Sequence, residues 1–384
     1  MTTLANPPRL IIDLRRDFRP SRTVEWLPGM TWRQQNVVLP GKNNGGFGVT
    51  WVEIDPTRSN LTLAPFSSSE QTIVGLAPMI TQAESHGAIA AINAGFFNRN
   101  NQYPLGAIRE DSVWRSSPIL NRGAVAWNNF GNWEFDRLGM REDLLASNGE
   151  RLSVDFLNSG YVKAGVSRYT RAWGDRYTPI IDNEVILTIR SKTKLVPETR
   201  PPQDVSTIDT VLRQDTALKS GQGSYPIPAD GYLLVFRSFR SGAERLPVGV
   251  TFELDTSYTP DDFRYFPNVM GAGPLLIKNS QIVLNGQGEQ FSTAFNIQSA
   301  SRSAIARTHD NKIILATVHG TALESSGATL REWSDILLRL GATDALNLDG
   351  GGSSALVVGG DLGDRHSSTA GRVNNAIGVF LDQP

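Results

Sequence analysis

Apolar residues along the chain fall mostly in short runs punctuated by glycine, proline, asparagine and aspartate, a pattern that predicts many strands and few helices. "GVTWVEIDP" (48–56) alternates as a half-buried strand, and "RGAVAWNNFGNWEFD" (122–136) reads as two strands around an Asn-Asn-Phe-Gly turn. Between Val74 and His86, the apolar positions Val74, Met79, Ile80 and Ala83 allow one helix, stopped by Gly87. "AIAAIN" (88–93) follows as a buried strand that delivers Asn93 to its end. The clearest helix is "TLREWSDILLRLG" (329–341). Thr329 and Glu332 form a capping box, Leu330, Trp333, Leu337 and Leu340 share a face, and Gly341 suits the position just past the last turn.

These elements predict an α+β fold, a strand-rich mixed-sheet core with a few flanking helices. The stretch from about 152 to 262 carries the proline-rich, charged loop "KLVPETRPPQD" (194–204) and then a turn and strand in "IPADGYLLVFRS" (227–238). It reads as an elaboration of the same domain. There is no tandem repeat, low-complexity tract or heptad pattern.

Composition narrows the function classes. With 384 residues, 40% hydrophobic and 20% charged, the chain can bury a large core. Its 37 Lys plus Arg nearly balance 38 Asp plus Glu, so no overall field favours nucleic acid or an anionic membrane. No apolar run approaches the roughly 18 residues of a membrane span. The complete lack of cysteine excludes disulfides, thiolate nucleophiles and Cys-ligated metals. The first 22 residues hold too short an apolar run for a signal-peptide core, so an exported form is expected to carry its signal outside this sequence.

Chemistry concentrates at strand ends. In "ALNLDGGGSS" a period of two places Asn347 and Asp349 on one face of a strand, with Leu346 and Leu348 on the other. Gly350, Gly351 and Gly352 permit positive φ and leave room for backbone N–H groups to converge on an anionic oxygen, while Ser353 and Ser354 add hydroxyls. A tight turn beside a solvated aspartate is the plain alternative. The pattern is neither a P-loop nor a dinucleotide fingerprint. Asn93 and Gly95 end a second strand before Phe96 and Phe97, a candidate sugar platform, and Gly273 in "GAGPLLI" supplies another wall. Arg302 and Arg372, each opening an apolar strand, are the candidate anion clamps. His319 ends a strand-like run and is the candidate acid/base. Asn347 and Asp349 are oxygen donors of the kind calcium or magnesium accepts, with no EF-hand or His-rich spacing beside them.

Taken in order, "AINAGFF", "GAGPLLI", "SRSAIAR", "LGATDALNLDGGGSSAL" and "RVNNAIGV" resemble the phosphodiester glycosidase family, whose bacterial members include proteins named for exopolysaccharide biosynthesis. The resemblance runs from about Leu27 to Leu381, so residues 1–26 are expected to be an extension and 27–384 a single domain. Two departures stand out: Ala94 occupies a position where the family commonly shows glycine, and the first two motifs are far apart. The resemblance implies hydrolysis of the bond between a sugar anomeric carbon and a phosphodiester oxygen, releasing sugar and a phosphomonoester. Asp349 would then stabilise positive character at the anomeric carbon, or act as nucleophile or base, and His319 would transfer the proton. The implied partner is a sugar phosphate or phosphorylated polysaccharide outside the cytoplasm. A non-catalytic envelope module binding the same polymer, and a β-rich protein whose glycines are only turns, are the competing expectations.

Overall fold

The computed structural model describes residues 2–5, 8–11, 21–41, 46–56, 60–193, 207–320 and 327–381. The loop expected at 194–204, and residues 1, 6–7 and 12–20 of the expected extension, lie outside the described residues. The architecture is strand-rich with several sheets, and the helices are short and peripheral.

Three sheets share one core. An eight-stranded sheet runs in the order Gln281–Ile282, Leu275–Lys278, Ala342–Asn347, Arg302–Thr308, Ile313–His319, Phe47–Ile54, Met30–Val37 and Arg22–Leu27. A five-stranded sheet places Ala90–Asn93 between Leu356–Val358 and Asn375–Leu381. A second five-stranded sheet centres on Asn268–Gly271, flanked by Ile108–Glu110 and Gly123–Trp127. Ile92, Val125, Ile305, Leu346 and Ile377 come from all three and meet in a single apolar cluster. Each such side chain, fully removed from water, contributes about 1.5–3 kcal/mol.

The other face of the large sheet is covered by the helix Leu330–Arg339, whose Trp333, Ile336 and Leu337 pack on Ala304 and Ala316. Its capping box forms as the sequence predicts: the Thr329 hydroxyl accepts from Glu332 N–H, and the Glu332 carboxylate accepts from Thr329 N–H at 2.9 Å. The 122–136 hairpin also forms, with Trp127 paired to Trp133.

Two readings are corrected. The strand Phe47–Ile54 is buried on both faces, because it lies between Ile313–His319 and Met30–Val37, with Trp51 facing the helix-side core and Val52 the inter-sheet core. Its alternation of residue type marks two cores and no solvent face. The first helix spans only Met79–His86, since Pro78 takes an extended conformation at its start; Gly87, at φ 71°, closes it.

Residues from Gly139 to Thr259 build a second eight-stranded sheet with its own core of Leu144, Val185, Leu187, Leu234, Phe236 and Phe252. Arg237 and Glu184 form a fully buried ion pair there at 2.8 Å, completed by the hydroxyls of Tyr169 and Tyr177. Satisfied in this way, the pair avoids the penalty of an unpartnered buried charge.

Candidate active site

Four distant segments meet at the ends of their strands. Asn93 Nδ2 donates to the Asp349 carbonyl at 2.6 Å, and Asp349 N–H donates back to the Ala94 carbonyl at 2.8 Å. Asn93 Oδ1 accepts from the Ser303 hydroxyl at 2.7 Å and from Ala355 N–H at 3.0 Å. Gly95 N–H donates to Asn375 Oδ1 at 2.6 Å. A Cβ on Gly95 would stand 2.9 Å from the Gly271 carbonyl, so glycine is what lets "AINAGFF" and "GAGPLLI" close on each other. Asn347 and Gly273 are tied reciprocally, Gly273 N–H to the Asn347 carbonyl at 2.9 Å and Asn347 Nδ2 to the Gly273 carbonyl at 2.8 Å.

The sequence predicts substrate contacts for Asn93, Gly95, Gly273, Asn347 and Ser354. All five are buried, and Asn93, Gly95, Gly273 and Asn347 fasten the segments together. The free-amide nest is corrected. Gly350 N–H donates to Asp349 Oδ1, Gly351 N–H to the Ser301 carbonyl, Ser353 N–H to the Gly350 carbonyl and Ser354 N–H to the Gly351 carbonyl. The short 3-10 turn Gly351–Ser353 takes up the Ser353 and Ser354 donors itself. What the glycines supply is space: nothing lies within 4 Å of a Cβ built on Gly351 or Gly352, whereas one on Gly350 would meet the Ser301 carbonyl at 2.9 Å.

Asp349 sits half-buried at the mouth of this turn. Burial pushes its carboxyl up to about 6, against the pull of the Ser353 hydroxyl, the Gly350 N–H and the Arg99 charge. A half-buried carboxylate whose pKa is raised towards neutral pH beside an open turn is a functional-site candidate.

Behind the turn stands His319, nearly buried. Its Nε2 lies 2.7 Å from Asp364 Oδ2, and its Nδ1 lies 3.1 Å from both the Ser301 hydroxyl and Arg365 Nη2. Carboxylates only accept and guanidinium only donates, so the neutral ring carries its proton on Nε2 and offers the Nδ1 lone pair. Asp364 is itself fixed by Leu356 N–H at 3.2 Å.

The two expected anion clamps are placed differently. Arg302 is 2% exposed, donates Nε to the Ala328 carbonyl and Nη2 to the Gln298 carbonyl, and lies over the Phe295 ring; burial pushes its pKa down to about 10. Arg372 is exposed, and only its strand neighbour Gly371 reaches the turn, through a 2.7 Å bond to the Gly352 carbonyl. Phe96 packs at 5.5 and 5.9 Å from the rings of Phe291 and Phe295, with Arg122 alongside, so it belongs to an aromatic cluster and does not stand free. Asp364, Arg365, Ser301 and Arg99 escape the sequence reading. The juxtaposition of aspartate, arginine and histidine in "GDRHSS" is their one local signal. Among the described residues, no group of three or more His, Asp or Glu is arranged to hold a metal ion.

The phosphodiester glycosidase family model matches residues 210–380. A hypothetical protein from Synechocystis is 46% identical, with a TM-score of 0.88 over 99% of this chain and 67% of that one. A candidate exported protein from Burkholderia pseudomallei shares the fold at 18% identity and a TM-score of 0.68, over 87% and 74% of the two chains. The zebrafish N-acetylglucosamine-1-phosphodiester alpha-N-acetylglucosaminidase catalytic domain overlaps loosely, at 13% identity and a TM-score of 0.45 over 94% and 87%. No curated protein matches the sequence. The "SRSAIAR", "LNLDGGGSS" and "RVNNAIGV" segments all lie inside the matched region, and the chain belongs to the phosphodiester glycosidase family.

Proposed function

We propose that the cleft hydrolyses the bond between a sugar anomeric carbon and a phosphodiester oxygen, releasing the free sugar and a phosphomonoester. The observation that supports this most directly is Asp349, a half-buried carboxylate whose pKa of about 6 leaves it ionised at neutral pH, at an open glycine turn in a chain of this family. As the glycosidic bond lengthens, positive charge builds on the sugar and Asp349 balances it. The phosphate departs as a stable anion, so it depends more on nearby cations than on a strong acid. His319, oriented by Asp364, accepts the proton of the incoming water on the Nδ1 lone pair. Phosphate-linked glycans are envelope and extracellular polymers, and we place the protein outside the cytoplasm on that ground. Among the described residues no helix is long and apolar enough to cross a membrane.

The test is a panel of α- and β-linked sugar-1-phosphodiesters assayed with wild type and Asp349→Asn. Turnover that falls about 10³-fold or more in the variant, with a thermal midpoint no lower than that of wild type, supports the reading. Equal turnover in both removes Asp349 from the chemistry. Tight binding of a glycan phosphate with no product on long incubation identifies a non-catalytic envelope module instead.

A further inference from the structure

Ser301, His319 and Asp364 form a continuous line of hydrogen bonds through both nitrogens of one imidazole. Asp364 Oδ2 accepts from Nε2 at 2.7 Å, and the Ser301 hydroxyl stands 3.1 Å from Nδ1. Here the acid is on Nε2 and the hydroxyl on Nδ1. Both nitrogens carry a proton in the cation, so the ring passes a proton in this sense as well as in the reverse. Two other histidines touch a serine, His86 with Ser85 at 3.2 Å and His366 with Ser368 at 2.8 Å. Those serines are sequence neighbours, and among the described residues neither ring faces a carboxylate. Ser301 and His319 lie 18 residues apart, and His319 and Asp364 45, so only the packed sheets bring the three together. The main chain around Ser301 is fixed: its carbonyl accepts from Gly351 N–H at 2.7 Å, and Ala300 is bridged to Ala328 by bonds of 3.1 and 2.9 Å. Its side chain is partly exposed, and the Gly351 it bonds has open space where a Cβ would stand. Arg365 Nη2, 3.1 Å from His319 Nδ1, also donates to the Gly351 carbonyl at 3.1 Å, while its buried Nε meets no acceptor.

A hydroxyl whose proton can pass to an imidazole held by a buried carboxylate is an activated nucleophile. We propose that Ser301, His319 and Asp364 give the protein a second activity, hydrolysis of a carboxylic ester on a carbohydrate hydroxyl through an acyl-serine intermediate. Ser301 Oγ bonds the carbonyl carbon as its proton moves to His319 Nδ1, and the carbonyl π pair moves onto oxygen. Once protonated, Nδ1 no longer accepts from Arg365. That guanidinium N–H and the unpaired Nε–H are then the donors left for the oxyanion. As the tetrahedral centre collapses, its bond to the alcohol oxygen breaks and His319 hands that oxygen the proton. Water next attacks the acyl carbon and gives a proton to Nδ1; the bond to Oγ breaks, the proton returns to Ser301, and the carboxylic acid leaves. Asp364 balances the imidazolium in both halves. Only the assignment of the alcohol as a carbohydrate rests on the proposed phosphodiester hydrolysis.

The experiment labels the protein with a fluorophosphonate probe, maps the adduct by peptide mass spectrometry, and follows hydrolysis of p-nitrophenyl acetate and glucose pentaacetate. Wild type is compared with Ser301→Ala and Asp364→Asn. Ser368→Ala is the control, a hydroxyl beside a histidine that faces no acid among the described residues. An adduct on Ser301 is expected in wild type and in Ser368→Ala. Labelling and both hydrolyses should fall about 100-fold or more in Ser301→Ala and Asp364→Asn. No adduct in wild type, an adduct on any other residue, or equal rates in Asp364→Asn overturns the triad. Release of nitrophenol with no acetate from the sugar ester overturns the carbohydrate assignment. The adduct is mapped on wild type, so it decides even if Ser301→Ala does not fold. Sugar-phosphodiester turnover without an adduct keeps the proposed hydrolysis and removes the esterase. An adduct and acetate release with no phosphodiester turnover do the reverse.

Discussion

Asn93 and Asp349, 256 residues apart, are locked by two hydrogen bonds in which the Asn93 amide holds the Asp349 carbonyl and the Asp349 N–H holds the Ala94 carbonyl. The position of the carboxylate is therefore set by a strand end from a different sheet. An acid whose main chain is held on both sides presents its side chain in one place, which preorganised electrostatic stabilisation requires.

The raised pKa of Asp349 predicts a stability effect of definite sign. Between about pH 4, where an unfolded aspartate loses its proton, and about pH 6, the folded chain retains a proton that the unfolded chain has released. Stability contributed by this group falls as pH rises across that window. The two-unit displacement corresponds to about 3 kcal/mol at most, reduced by the water that reaches a half-buried group. The Asp349→Asn variant should gain in thermal midpoint relative to wild type between pH 4 and pH 6.5. A constant difference across that range would contradict the assignment. In catalysis the ionised form is needed, so kcat/KM should fall below about pH 6.

Asp364 is expected to matter through His319. Asp364→Asn replaces a pure acceptor by an amide able to donate, so the ring loses the partner that holds its proton on Nε2. A drop of about 100-fold in kcat/KM is expected, with the imidazole nitrogen resonances of His319 shifting to a different tautomer mixture. Unchanged resonances would show that Asp364 does not set the ring.

The glycines separate by role. Gly350→Ala drives a methyl to 2.9 Å from the Ser301 carbonyl and should cost about 1–3 kcal/mol, seen as a lowered thermal midpoint. Gly352→Ala meets no atom within 4 Å and should fold as wild type, but its methyl enters the open space above the turn and raises KM. Equal KM values for Gly352→Ala and wild type would mean that substrate does not approach there.

Thr329→Ala removes the hydroxyl that accepts from Glu332 N–H and should cost about 1 kcal/mol in denaturant unfolding. The helix lies on the far side of the large sheet from the cleft core, so turnover should stay unchanged.

The 329–341 helix and the 122–136 hairpin could be read residue by residue, because capping boxes and short turns are satisfied by neighbours within a few positions. The motifs at Asn93, Gly273, Arg302 and Asp349 were legible as strand ends rich in polar or small residues, and they do converge. Their roles were not. Asn93 and Asn347 look like ligand contacts in sequence and prove to be ties, since a polar side chain at a strand end bonds whichever backbone the fold brings beside it. Arg302 looks like a clamp in sequence but turns inward to the carbonyls of Ala328 and Gln298.

By itself the sequence determined a strand-rich chain, two well-punctuated local elements and a carboxylate followed by a glycine turn, because periodicity, capping and turn chemistry act over a few residues. Tertiary structure alone decided that this carboxylate is half-buried and held near neutrality. It also paired His319 with Asp364. Burial and charge pairing depend on which distant backbones pack together, and that is a property of the assembled sheets.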